Sequence, residues 1–262
     1  MIAFDYTGKV VLVTGGTKGL GRGIARAFLS AGATVIVCAR TPPDAPVTAP
    51  LHPRAPAPAS DDRTGVARFV RADVRDPEDL ERLFAGLDRL DVVVNNAGGA
   101  PYAMVAGTSP RLHARVIELN LIAPLLVAQR AHPLLAATRG AVIMIGSTSG
   151  TRPSPGTSAY GAAKAGLHHL AACLAAEWAP DVRVNTVVVG LAETENAAEH
   201  YGGRSELMSA TIPAGRMAGP SDVGEVCLWL AGSGYVTGAQ ILVHGGGETP
   251  AWKWVASDGI SR

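Results

Sequence analysis

Short apolar runs rich in β-branched residues recur along the chain: 10–13, 34–37, 68–70, 92–94, 141–145, 182–188 and 240–243. Most are apolar at successive positions instead of alternating, which is how strands buried on both faces read. Between them lie longer stretches with helical spacing, at 20–31, 76–87, 110–135, 159–178 and 221–231. Strand alternating with helix predicts an α/β fold, a doubly wound parallel sheet of about seven strands with crossover helices on both faces. No internal repeat is present, which excludes a solenoid.

One crossover departs from this pattern. Residues 41–60, TPPDAPVTAPLHPRAPAPAS, carry seven of the chain's 18 prolines. Proline removes donors and fixes φ, so the expectation is an exposed, polyproline-like connector in place of a crossover helix.

Composition narrows the class. At 262 residues and 47% hydrophobic, the chain is long enough for one large domain or two small ones and can fill a sizeable core without disulfide or metal staples. Lys+Arg 23 against Asp+Glu 22 leaves a net charge of +1, so no basic excess exists to grip a nucleic acid. Cys38, Cys173 and Cys227 are too few and too scattered for a disulfide framework or a metal site, and suit a reducing, cytoplasmic compartment. No run approaches the roughly 18 unbroken apolar residues of a membrane span, and the N-terminus has no signal-like apolar stretch. The expectation is a cytoplasmic protein with neither membrane nor nucleic-acid partner, and no bound metal.

The candidate chemistry clusters after the strands. Thr14-Gly15-Gly16-Thr17-Lys18-Gly19-Leu20-Gly21 follows the first strand and runs into an Ala/Ile/Leu helix. Glycines there let backbone amides approach a pyrophosphate, and the helix N-terminus adds favourable partial charge. The second strand ends at Ala39-Arg40 without a carboxylate, and Lys18 sits inside the Gly-rich turn. Two cations favour a 2′-phosphate, so NADP(H) is expected in preference to NAD(H). Asp73-Val74 closes the third strand and Asn95-Asn96-Ala97-Gly98-Gly99 the fourth, where open parallel sheets bind ligands. Tyr160 and Lys164 stand four apart on a predicted helix and share a face, so that the ammonium favours the phenolate of a general acid/base. Ser147, just past the fifth strand, is able to donate to a substrate oxygen.

TGGTKGLG, NNAG, Ser147 and YGAAK, in this order and spacing, resemble the short-chain dehydrogenase/reductase family, in its compact single-domain branch. The resemblance covers essentially the whole chain. It implies a Rossmann-like sheet of seven parallel strands and assembly as a homotetramer or homodimer. It also implies roles: Tyr160 as proton donor and acceptor, Lys164 beside it on the nicotinamide ribose, Ser147 orienting substrate, and Asn120 supporting a water-linked proton path. Gly15, Thr17, Lys18, Gly19, Leu20, Gly21 and Arg40 would hold adenosine and phosphates, with Asp73 and Val74 near adenine. Asn96, Ala97 and Gly98 would line the cofactor beside its ribose. After the sixth strand, Gly190, Ala192 and Thr194 match the family's pattern, but Val189 stands where that pattern has proline.

The implied reaction interconverts a ketone and a secondary alcohol of a small molecule. A non-catalytic dinucleotide-binding or scaffold protein, and a dehydratase or epimerase on the same fold, are the alternatives. Substrate choice is expected in the loops 100–108, 150–157 and 191–216, the last a candidate lid containing His200 and Tyr201. Trp252 and Trp254 in the tail are expected to pack, most favourably across a subunit interface.

Overall fold

The computed structural model describes residues 4–51, 63–195 and 202–256. Seven strands form one parallel sheet: β1 (Val10–Thr14), β2 (Thr34–Ala39), β5 (Arg68–Arg71), β6 (Val92–Asn95), β7 (Ala141–Ser147), β8 (Arg183–Val189) and β9 (Gln240–Val243), in the order β5-β2-β1-β6-β7-β8-β9. The chain leaves β1 towards β2 on one side and later returns to β6 on the other. The crevice that opens where the winding reverses lies over the C-terminal ends of these strands.

Alternation along each strand explains why the runs read as continuously apolar. Leu12, Ile36, Val93, Val142 and Val184 pack on one face against α2 (Pro77–Ala85), α4 (Ala123–Thr138) and α5 (Ser158–Trp178). Their neighbours Val11, Val13, Val35, Val94, Ile143 and Val187 pack on the other against α1 (Gly19–Ser30) and α7 (Pro220–Gly232). Both faces are buried under helices, as crossover connections require.

Two elements depart from the sequence expectations. The proline-rich crossover is not simply an exposed connector. β3 (Thr48–Pro50) pairs antiparallel with β4 (Thr64–Val66), and Val47 and Ala49 are buried in the cluster that includes Leu29 of α1. Proline at the last position of a two-stranded ribbon loses no interior ladder bond. Residues 52–60 of the same segment lie outside the described residues.

The helix expected over 110–135 is also interrupted: α3 (Pro110–Ile117) passes through a π turn at Glu118–Ile122 before α4 begins. Such wide turns re-aim a side chain, commonly at a functional site. Here the turn holds Asn120, which is fully buried. By length and composition 110–138 passes as a membrane span, but Val127, Ala128, Ala131 and Leu135 are buried in the core of the sheet.

Within 191–216 the chain forms α6 (Ser205–Ala210), while His200 and Tyr201 lie outside the described residues. The tail forms α8 (Ala251–Ala256), and the side chains of Trp252 and Trp254 are likewise outside them.

Candidate active site

The turn from β1 into α1 is built to bring backbone close to a ligand. Gly15 and Gly19 adopt φ of 63° and 53°, a region costly for other L-residues. A side chain at Gly21 would run into the Gly15 carbonyl and the Asn96 amide, so only glycine lets the first turn of α1 sit this close to β6.

The two turns are tied together. Thr14 Oγ1 accepts from the backbone N–H groups of Asn96 and Ala97, each at 3.0 Å, and Asn96 Nδ2 donates to Thr14 O at 2.9 Å and Gly15 O at 3.2 Å. Asn96 therefore acts first as a buttress for the glycine-rich turn.

Asn120 performs a similar task one turn further on. Its Oδ1 accepts from Gly99 N at 2.9 Å, while Nδ2 donates to Gly99 O at 2.9 Å and Val116 O at 2.8 Å. A side chain at Gly98 would stand 2.7 Å from Asn120 Oδ1 and 3.4 Å from Lys164 Nζ. The segment 97–99 is thus pressed against both residues.

Helix α5 carries the expected pair, Tyr160 and Lys164. Lys164 is buried, donates to Ile145 O at 2.8 Å, and stands 5.5 Å from the Tyr160 ring centroid. Burial pushes its pKa down to about 8. Ser147 ends β7, and its Oγ accepts from Ser149 N at 3.2 Å, leaving the hydroxyl proton to be donated outward. From sequence, His168 and His169 stand on the Tyr160 helix with one of them expected to face a neighbouring subunit; the contact the sequence did not suggest is that of His168, which is buried with its Nε2 3.3 Å from the Ser147 backbone N–H. The spacing 160, 164, 168 along one helix face is the signal that points to it.

These groups surround one cavity of about 500 Å³. Gly15, Lys18, Gly19, Leu20 and Gly21 line one end, and Asn96, Ala97 and Gly98 one side. Ser147, Tyr160 and Lys164 line the middle, with Gly190, Ala192 and Thr194 on the opposite wall. Val189, in the place of the expected proline, continues β8 by pairing with Val243.

Thr17, Arg40, Asp73, Val74 and Asn120 do not line this cavity. Thr17, Val74 and Asn120 are buried. Arg40 is exposed beyond β2. Asp73 is held by Arg75 through bonds of 3.0 and 2.6 Å, which keep its carboxyl below the usual range, with Arg40 adding to the effect. Arg152 lines the cavity and pairs with Glu248, a partner the sequence did not suggest.

The cavity fits a nicotinamide dinucleotide on evidence internal to the fold. Glu195, also missed from sequence, places its carboxylate on the Gly19 N–H at 2.8 Å and pairs with Arg22. An anionic group is therefore already accommodated at the amide that a pyrophosphate would take.

The fold and site define a nicotinamide-dependent oxidoreductase architecture. Residues 15–248 match the family model described as enoyl-(acyl carrier protein) reductase. The chain belongs to the short-chain dehydrogenase/reductase family.

Among curated relatives, it is 32% identical over 264 residues to the L-fucose dehydrogenase of Oryctolagus cuniculus, covering 93% of this chain and 86% of the relative. It is 32% identical over 259 residues to the rhamnolipid-biosynthesis 3-oxoacyl-(acyl-carrier-protein) reductase of Pseudomonas aeruginosa, covering 93% and 97%. Among solved structures, the NADP active-site complex of Pseudomonas aeruginosa RhlG superposes with a TM-score of 0.79 at 28% identity, covering 94% of this chain and 99% of that one.

Proposed function

We propose that this protein is an NADP(H)-dependent oxidoreductase that interconverts a ketone and a secondary alcohol of a small molecule, with Tyr160 as general acid/base. The observation that carries the reading is the convergence of Tyr160, Lys164 and Ser147 on the cavity that begins at the glycine-rich turn. When bound, the nicotinamide supplies the hydride acceptor or donor.

The chain's own part is positioning and proton handling. Ser147 donates its hydroxyl proton to the substrate oxygen and fixes where that oxygen lies. Tyr160 gives a proton to the oxygen in reduction and takes it in oxidation. The Lys164 ammonium beside the ring favours the phenolate that this cycle leaves. Asn120 keeps the 97–99 wall in register, and Thr194 with Ala192 closes the other side.

Preference for NADP(H) rests on charge. Ala39 leaves no carboxylate at the end of β2, while Arg40 and Lys18 stand exposed at that side of the glycine-rich turn. The NADP complex of the RhlG structure is consistent with this choice.

Association of copies is supported by exposed large apolar side chains, among them Leu242 on the edge strand β9 and Trp229 on α7. A reducing, cytoplasmic setting is supported by three free cysteines, Cys38, Cys173 and Cys227.

The test is turnover. Purified protein is incubated with NADPH or NADH and a panel of ketones, with oxidation of the reduced nicotinamide followed spectroscopically and cofactor binding measured separately by calorimetry. NADPH-dependent reduction of at least one ketone is expected. Tight cofactor binding with no turnover across the panel or its alcohols overturns the catalytic reading.

A further inference from the structure

The C-terminal end of β7 overhangs its neighbour. β6 stops at Asn95, opposite Met144, whereas β7 continues to Ser147 with β8 alone alongside. Past Asn95 the carbonyl of Ile145 and the N–H of Ser147 on the β6 side therefore have no ladder partner, and buried groups of this kind must be satisfied elsewhere.

Two side chains of α5 do so. Lys164 Nζ donates to Ile145 O at 2.8 Å, and His168 Nε2 accepts from Ser147 N at 3.3 Å. The bonds are one helical turn apart on α5 and two residues apart on β7, so the helix substitutes for the missing strand.

The surroundings are shaped around the imidazole. A side chain at Gly146 would run into His168 Nε2, and one at Gly150 would approach His168 Cε1 to 3.0 Å. Gly146 thus admits the ring, while Gly150 admits first the α5 backbone at Lys164 and Ala165 and then the ring.

We propose that His168 is a positioning residue for Ser147: its Nε2 holds the Ser147 amide and thereby sets where the Ser147 hydroxyl points. The inference rests on reading Ser147 as the hydroxyl that orients substrate. With its amide held by His168 and its Oγ accepting from Ser149 N, Ser147 has one remaining degree of freedom, the direction of its own proton. The bond requires an unprotonated Nε2. Burial, and next the neighbouring Lys164 charge, bring the His168 pKa down to about 4, so the ring is neutral at neutral pH.

The experiment has two arms. In the first, long-range proton–nitrogen spectra of the wild-type protein read the His168 tautomer at neutral pH. An unprotonated Nε2 with the proton on Nδ1 is expected; a protonated Nε2 overturns the proposal without any variant.

In the second, His168→Leu, His168→Gln and Ser147→Ala are compared with wild type, using NADPH and the ketone that turns over fastest in the panel. Displacing a catalytic group by about an ångström costs on the order of 10²-fold, so His168→Leu is expected to lose about that in kcat. NADPH affinity should be unchanged, and His168→Gln, which keeps an acceptor at the ε position, should recover most of the loss. A His168→Leu enzyme with wild-type kcat, beside a slowed Ser147→Ala, overturns the positioning role alone. Wild-type turnover by Ser147→Ala removes the serine from the mechanism and the positioning role with it. Should His168→Leu fail to fold, the tautomer and the His168→Gln kinetics decide: a kcat collapse in a folded His168→Gln with unchanged NADPH affinity counts against it.

Discussion

Glu195 reaches from the segment after β8 to the first turn of α1, where its carboxylate accepts the Gly19 N–H at 2.8 Å and pairs with Arg22. A pyrophosphate entering along the glycine-rich turn would compete for the same amide. Removing a carboxylate from a helix N-terminus is worth about 0.3–1 kcal/mol. Glu195→Ala is therefore expected to tighten NADPH binding by about two- to fivefold in calorimetry. Weaker binding would mean that the carboxylate supports the turn rather than competing for it.

Arg40→Ala should separate the two cofactors. A charge-assisted contact to the 2′-phosphate is worth about 1.5–3 kcal/mol, so NADPH affinity should fall by roughly 10- to 100-fold. NADH, lacking that phosphate, should be nearly unaffected. Equal losses for both would contradict the charge argument.

Tyr160→Phe keeps the ring beside Lys164 and removes the proton. The expected loss in kcat is roughly 10²–10⁴, the usual worth of a positioned acid/base. Circular dichroism should match wild type, and a variant turning over normally on its best ketone would take Tyr160 out of the chemistry.

Gly21→Ala sets two effects against each other. Alanine is favoured over glycine in a helix interior by about 1 kcal/mol. The added methyl, however, would press on the Gly15 carbonyl and the Asn96 amide, and such overpacking costs about 1–3 kcal/mol. Net destabilisation in urea unfolding and weaker cofactor binding are expected. A stabilised variant with intact binding would show that the turn relaxes freely.

Acid should weaken the fold through His168. Its folded pKa, about 4, lies below the ordinary 6.5, so between these values the unfolded chain binds more protons than the folded one. Stability then rises with pH across that window and is lost as pH falls through it, with a slope of at most about 1.4 kcal/mol per pH unit from this group. Lys164, at about 8 against 10.5, adds a second rise of the same sign in the alkaline range. Urea midpoints measured from pH 4 to pH 7 should climb less steeply in His168→Gln than in wild type; parallel curves would count against a neutral buried imidazole.

Much of this fold is legible because its strands are buried on both faces. Val11 and Leu12, or Ile143 and Met144, point to opposite layers and are all buried, so the sequence shows an unbroken apolar run. The shared placement of the candidate pair is legible because Tyr160 and Lys164 are four apart on one helix.

The ribbon at 48–50 is harder to read. Its inward positions, Val47 and Ala49, are only two, and the prolines around them carry no strand signal. The π turn is hidden for another reason: 110–138 keeps helical spacing throughout, and only the backbone bond from Ala123 N–H to Glu118 O, five residues back, reveals the widened turn. Glu195 on Gly19 and Arg152 on Glu248 are 176 and 96 residues apart in sequence, beyond the reach of local pattern.

The overhang of β7 separates two design problems that an enzyme usually has to solve together. β7 and α5 are tied together directly, Lys164 on the Ile145 carbonyl and His168 on the Ser147 N–H, and Tyr160 stands on the same helix. Replacing residues 100–108 or the stretch around α6 would then alter which molecules are admitted while the proton-transfer geometry stays put. A single reactive centre of this build can be retuned to new substrates by exchanging its rim.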